Sequence, residues 1–265
     1  LTALGVFGRM PSFEELENPR SNLATEVYSE DGKVIGTFFV QNRSYVQYAD
    51  LFPADSTLHI RLDDREVPPI VAALIATEDV RFRSHSGIDI PSLARVAVKT
   101  VLMQNTSQGG GSTITQQLAK QFYSPTADNV MERLLQKPIE WVIAVQLERY
   151  YTKEEILTMY LNKFDFLNNA VGIKTAANTY FSKEPKDLKT EEAATLVGMC
   201  KNPSLYNPKR FNERSRGRRN VVLDQMRKTG YLSDAEADSL KKLPLVLKYR
   251  RVDHKEGLAT YFREY

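Results

Sequence analysis

The rhythm of apolar and polar positions changes near residue 68. Before it, Ala24–Tyr28 and Val34–Val40 are runs of strand-forming residues. The Asp31-Gly32 turn signal between them predicts a β-hairpin, the one convincing β region in the pattern. From Pro68 onward the spacing is helical. Pro68-Pro69 suits a first helical turn, and Ile70, Val71, Leu74 and Ile75 repeat on one face, a stripe that Glu78 continues. Asp89 and Pro91 predict the start of a second helix that runs to about Gln104. After the break at Gln108-Gly109-Gly110-Gly111, Ser112 and Thr113 are N-cap types that open a helix to about Tyr123. Asp128 is placed to cap a helix toward Tyr150, and Pro138 inside it should kink or interrupt that helix. Thr152 and Glu155 form a capping-box pattern before Ile156, Leu157, Tyr160 and Leu161, and Thr190 starts another helix to about Cys200. There is no internal repeat and no low-complexity tract. The pattern predicts a mainly α protein with a small N-terminal β-containing region.

Composition adds limits. The 265 residues are 42% hydrophobic, with 36 basic and 33 acidic side chains and a formal charge of +3. That mild excess argues against a dedicated nucleic-acid binder, and no nucleic-acid partner is expected. It suits work near an anionic membrane or on an anionic substrate. Cys200 is the single cysteine, so no internal disulfide framework exists. No stretch approaches the roughly 18–20 apolar residues of a membrane span. Leu1–Met10 is fairly apolar but is broken by Gly5, Gly8 and Arg9, and there is no initiator methionine. The chain reads as a piece of a longer protein, with a membrane anchor expected ahead of it.

Four segments could carry chemistry. Glu78 extends an apolar stripe, where partial desolvation favours the protonated carboxyl and so makes a useful acid or base near neutral pH. The competing reading is a solvated helix end. The segment Gly109–Lys120 combines glycines with a helix N-terminus and the side chains of Ser112, Gln117 and Lys120, a place that suits a pyrophosphate. It lacks the spacing of a P-loop or a dinucleotide fingerprint, and a flexible loop before a capped helix is the plainer account. Arg133, Lys137, Glu140 and Ala144 share a helical stripe, which is usually a solvated face. Its functional alternative is a second carboxylate among phosphate-holding cations. Finally, Lys201–Gly230 carries nine Lys/Arg against two Asp/Glu. It reads best as a surface helix, amphipathic through Val221, Val222, Leu223 and Met226, with anionic lipid headgroups as a further contact.

Order and spelling together say more than any one segment. Ala76-Thr77-Glu78-Asp79 with Phe82, His85 and Gly87 resembles the first motif of family 51 glycosyltransferases, and Gly110 through Lys120 is nearly identical to the second. Lys137 with Glu140 looks like the third motif and Lys153 through Asn162 like the fourth. Ala193, Ala194, Leu196 and Gly198, followed by Pro203, Tyr206, Asn207 and Pro208, are similar to the fifth. The resemblance covers roughly residues 65 to 230. It implies the peptidoglycan glycosyltransferase domain of a class A penicillin-binding protein, with a lysozyme-like, largely helical fold. The implied reaction polymerises lipid II onto a nascent glycan strand with inversion, at the outward, periplasmic face of the cytoplasmic membrane, alongside the cell-wall synthesis machinery. By carry-over, Glu78 is the general base. Glu140, with Lys137, assists the pyrophosphate side through hydrogen bonds or through a divalent cation, Mg or Mn. Asp79, Phe82, His85, Ser112, Gln117 and Lys120 match donor-site positions.

One departure stands out: Gln136 occupies the place of the arginine that opens the third motif, and Pro138 sits inside that motif. The implied organisation is a post-anchor segment and hairpin over 1–60, a glycosyltransferase domain over 61–232, and a segment over 233–265, including Leu258–Phe262, that leads toward a transpeptidase domain. Lys228-Thr229-Gly230 and Ser239 with Lys242 mimic transpeptidase motifs, but they stand in the wrong order and within fifteen residues. A lytic enzyme with a catalytic glutamate is the rival from the same fold class. A non-catalytic scaffold or nucleic-acid module that uses Lys201–Gly230 is the rival from another class.

Overall fold

The computed structural model describes residues 45–62, 64–103, 111–123 and 130–250, together with two strands of the first hairpin. The readings made on Leu1–Met10, Gln108–Gly110, Asp128 and Leu258–Phe262 lie outside the described residues. So does the side chain of Arg133.

Strands β1 (Thr25–Tyr28) and β2 (Val34–Phe38) pair antiparallel, with Thr25 opposite Phe38. A second hairpin, β3 (Ile60–Leu62) with β4 (Arg65–Val67), was not expected. Three residues per strand are too few to display a period-2 alternation, so the pattern of the sequence could not reveal it. The helices are α1 (Pro69–Glu78), α2 (Ile90–Met103), α3 (Ile114–Tyr123), α4 (Val130–Tyr150), α5 (Lys153–Lys163), α6 (Ile173–Phe181), α7 (Thr190–Cys200), α8 (Asn212–Lys228) and α9 (Asp234–Lys242), of which all but α6 and α9 lie where the pattern predicts a helix. Among the described residues, no helix is long and apolar enough to cross a membrane.

The chain divides into two compact units. The first runs from Glu78 to Tyr160. In it α3 packs on α4, and Phe82, Ile114, Leu118, Ile143, Ala144 and Leu147 are fully buried. Pro138 lies within α4 without interrupting it. The capping box at Thr152 forms: its N–H donates to Glu155 at 2.7 Å, and the Glu155 N–H donates to the Thr152 hydroxyl at 3.2 Å.

The second unit contains residues 45–77 and 161–250. Pro69 through Ala76 are all buried, so α1 is apolar on every side rather than along one stripe. Helices α7 and α8 pack closely, and α9 packs on α8. The expected amphipathic face of α8 is corrected at two positions. Val221 is exposed, whereas Arg219 is fully buried and donates to the Lys241 and Leu243 carbonyls at 3.2 and 2.8 Å. Those carbonyls end α9, where a cation complements the helix dipole and satisfies orphan acceptors. The transpeptidase look-alikes are parts of helices. Thr229 and Gly230, the latter with φ +82°, close α8, and Ser239 and Lys242 lie within α9, which Ser233 caps through a reciprocal bond with Glu236.

Candidate active site

Glu78 is the last residue of α1 and is half-buried. Gln117 of α3 donates from Nε2 to Glu78 Oε2 at 3.1 Å, and the Tyr160 hydroxyl donates to Gln117 Oε1 at 3.0 Å. Asp79 turns into the protein and is only 6% exposed. Its carboxylate accepts the Ile114 N–H at 3.0 Å and faces His85 Nε2 at 3.1 Å. The Gly87 N–H donates to His85 Nδ1 at 3.2 Å, so the ring carries its proton on Nε2 and donates it to Asp79.

The start of α3 is therefore already occupied. Asp79 takes the Ile114 amide, and the Thr113 hydroxyl accepts the Gln116 N–H at 3.1 Å while the Gln116 side chain returns to the Thr113 amide at 3.3 Å. The expectation of a helix N-terminus open to a diphosphate is corrected at the Ile114 and Gln116 amides, which an internal carboxylate and a capping hydroxyl fill. What this segment offers a ligand is side chains. Ser112 Oγ lies 3.4 Å from Lys137 Nζ, and Lys137 donates to Glu140 Oε2 at 2.7 Å. Glu140 is 1% exposed and Ala144 is buried, so the stripe on α4 is not a solvated face. Lys120, near the end of α3, is exposed.

Phe82 opens a single 3-10 turn and is wholly buried beneath Lys153, whose Nζ stands 4.4 Å from the ring centroid. Lys153 also donates to the His85 carbonyl at 2.6 Å and pairs with Glu148 at 2.7 Å, and Glu148 accepts the Thr115 hydroxyl at 2.6 Å. Arg81 pairs with Asp89, which caps α2 through the Ser92 N–H at 3.0 Å. Burial alone would raise the Asp89 carboxyl, but the hydrogen bonds from Ser92 and Arg81 outweigh it and hold it below the usual carboxylate range.

Residues 112–117 thus touch every cluster: Ser112 meets Lys137, Ile114 meets Asp79, Thr115 meets Glu148 and Gln117 meets Glu78. Sequence reasoning assigned no role to Tyr160, Lys153 or Glu148. The first two stand in the fourth motif, which was the available signal. Glu148, in Leu147-Glu148-Arg149-Tyr150, looks like any charged helix end. The structure also shows an open groove of about 480 Å³ along α4, lined by Ile88, Trp141, Val142, Val145 and Arg149 among others, which no pattern announced.

The transglycosylase family model matches residues 31–227. Penicillin-binding protein 1A of Pseudomonas aeruginosa is 37% identical over 256 residues, which are 96% of this chain and 28% of that protein. Penicillin-binding protein 1A of Escherichia coli is 36% identical over 236 residues, 88% of this chain and 25% of that one. Penicillin-binding protein 1A/1B of Bacillus subtilis is 37% identical over 241 residues, 88% and 23%. The crystal structure of Penicillin-Binding Protein 1A from Haemophilus influenzae aligns over 87% of this chain and 22% of that one, at 24% identity and a TM-score of 0.44. The chain spans about a quarter of the length of these relatives. With 31–227 matched by the family model, this chain belongs to the transglycosylase family.

Proposed function

We propose that this chain is a peptidoglycan glycosyltransferase. It joins lipid II to a growing glycan strand by forming a β-1,4 bond with inversion, and polyprenyl diphosphate leaves. The observation that carries this reading is the pair of carboxylates served by one short segment: Gln117 at Glu78, and Ser112 beside the Lys137–Glu140 pair.

In this reading Glu78 accepts the proton of the acceptor sugar's 4-hydroxyl as that oxygen attacks the anomeric carbon of the strand. The bond to the diphosphate breaks with inversion, without a covalent enzyme intermediate. Lys137, Ser112 and the exposed Lys120 meet the negative charge that develops on the leaving group. Asp79, Phe82 and His85 serve from beneath, since all three side chains are buried and Asp79 ties the turn after α1 to the start of α3. Among the described residues, no group of three or more His, Cys, Asp or Glu is placed to hold a metal ion. The residues fit a divalent cation in one form only: Glu140 as a single carboxylate ligand, with the substrate's diphosphate supplying further oxygens, the way Mg²⁺ is commonly held. Such a cation would neutralise leaving-group charge. Work at a membrane, on the outward face, goes with this substrate.

The test is polymerisation of lipid II in detergent, with and without Mg²⁺ or Mn²⁺, by the chain and by Glu78→Gln. Long glycan from the parent and at least a hundred-fold less from the variant is expected. Equal polymerisation by both would remove Glu78 from the role of base and move it to Glu140.

A further inference from the structure

Tyr160 has no part in the mechanism above, yet it touches the residue that touches the base. It lies on α5, is fully buried, and places its hydroxyl 3.0 Å from Gln117 Oε1, while Gln117 Nε2 stands 3.1 Å from Glu78 Oε2. We infer that Tyr160 is the positioning residue of the general base: its hydroxyl holds the Gln117 amide with the nitrogen toward Glu78. This rests on the assignment of Glu78 as base.

A carboxamide has two ends of nearly equal size and opposite hydrogen-bonding character. Toward a carboxylate only the NH2 end attracts. The carbonyl end would repel it and leave Glu78 without this donor. A phenol has one proton to give. Donated to Oε1, it holds the carbonyl end away from Glu78 and polarises the amide, so the N–H on the far side becomes a better donor. A buried tyrosine hydroxyl needs a partner in any case. Here that requirement is met in the direction that ends on the base. Two donors in series, Tyr160 to Gln117 and Gln117 to Glu78, set the rotamer of the carboxylate.

Tyr160→Phe keeps the buried ring and removes one oxygen, so the fold survives, and a thermal melt checks this. In the lipid II assay kcat is expected to fall about five- to ten-fold, the scale of one lost hydrogen bond, with KM changed less than about two-fold. The acid limb of the pH–rate profile moves to higher pH, because a carboxylate that has lost a donor keeps its proton longer. Gln117→Ala moves the limb the same way, and the Tyr160→Phe, Gln117→Ala double variant is no slower than Gln117→Ala alone, since Tyr160 reaches the base through that amide. An unmoved limb, or effects that multiply in the double variant, would overturn the inference and leave Tyr160 as core packing. A second readout needs no activity: titration of the Glu78 side-chain carboxyl by ¹³C NMR, its signal assigned by loss in Glu78→Gln. Its midpoint rises in Tyr160→Phe if the inference holds and stays put if it fails. If Glu78→Gln polymerises as well as the parent, the general-base reading fails, and the NMR titration still decides whether Tyr160 acts on Glu78.

Discussion

Lys137 and Glu140 stand one helical turn apart on α4, and they differ in what surrounds them. Glu140 is 1% exposed, whereas the Lys137 side chain retains 28%. A buried carboxylate is tolerated only with its charge met, so the lysine owes its place to the glutamate's burial as much as to any ligand. Lys137→Ala is expected to lower stability by about 3 kcal/mol in urea denaturation, while Lys137→Arg costs less than about 1.5 kcal/mol. Equal losses for both would show that the side-chain stem matters and the charge does not. The same reasoning separates Arg219 from its basic neighbours on α8. Its guanidinium is buried because the end of α9 brings it carbonyl partners, and a count of charges along the helix cannot reveal this.

Elements are held to one another at a few close approaches. Gly87 has φ +91°, and a Cβ there would fall 2.8 Å from the Ala144 backbone, so the turn after Phe82–Ser84 lies directly on α4. The Thr113 hydroxyl donates to the Gly87 carbonyl at 2.7 Å and fixes the same turn to the start of α3. Gly87→Ala brings both left-handed strain and a clash. It is expected to cost at least about 2 kcal/mol and to depress polymerisation more than ten-fold, because the turn carries Asp79 and His85. A melt unchanged from the parent would contradict the close approach. The capping box at Thr152 was legible because it needs only two residues three apart; the one at Ser233 has the same form and was not read. The β3–β4 hairpin and the all-round burial of α1 were not, since both depend on what lies against them.

For the molecule as a whole, one cluster ties stability to pH. His59 Nδ1 lies 2.8 Å from Glu66 and Nε2 lies 2.8 Å from the Pro53 carbonyl, and Arg61 also pairs with Glu66. The hydrogen bonds to Glu66 and to Pro53 hold the imidazole above its ordinary value of 6.5, and those from His59 and Arg61 hold Glu66 below 4.5. The histidine's contribution is therefore complete below pH 6.5 and is lost as pH rises through the raised folded-state value. The glutamate's is present above pH 4.5 and is lost as pH falls. The difference in Tm between the parent and His59→Gln should be largest near pH 5.5 and shrink toward pH 8. A difference constant across that range would mean that His59 stabilises the fold only as a neutral ring.

The sequence by itself determined most of the helices, the caps at Asp89, Thr113 and Thr152, the order of the motifs, and Glu78 and Glu140 as candidates for chemistry. Period, capping and motif spelling are written within a few consecutive residues, and local sterics and hydrogen bonding read them directly. Only the tertiary structure decided which polar groups go inside. The side chains of Glu140, Asp79, Arg219 and Glu148 are buried where the fold meets their charge: Glu140 with Lys137, one turn back on its own helix and itself beside Ser112, Asp79 with Ile114 and His85, Arg219 with the end of α9, and Glu148 with Lys153 and Thr115. Burial and pairing are properties of what packs over a residue, and the chain order carries that information only through the fold.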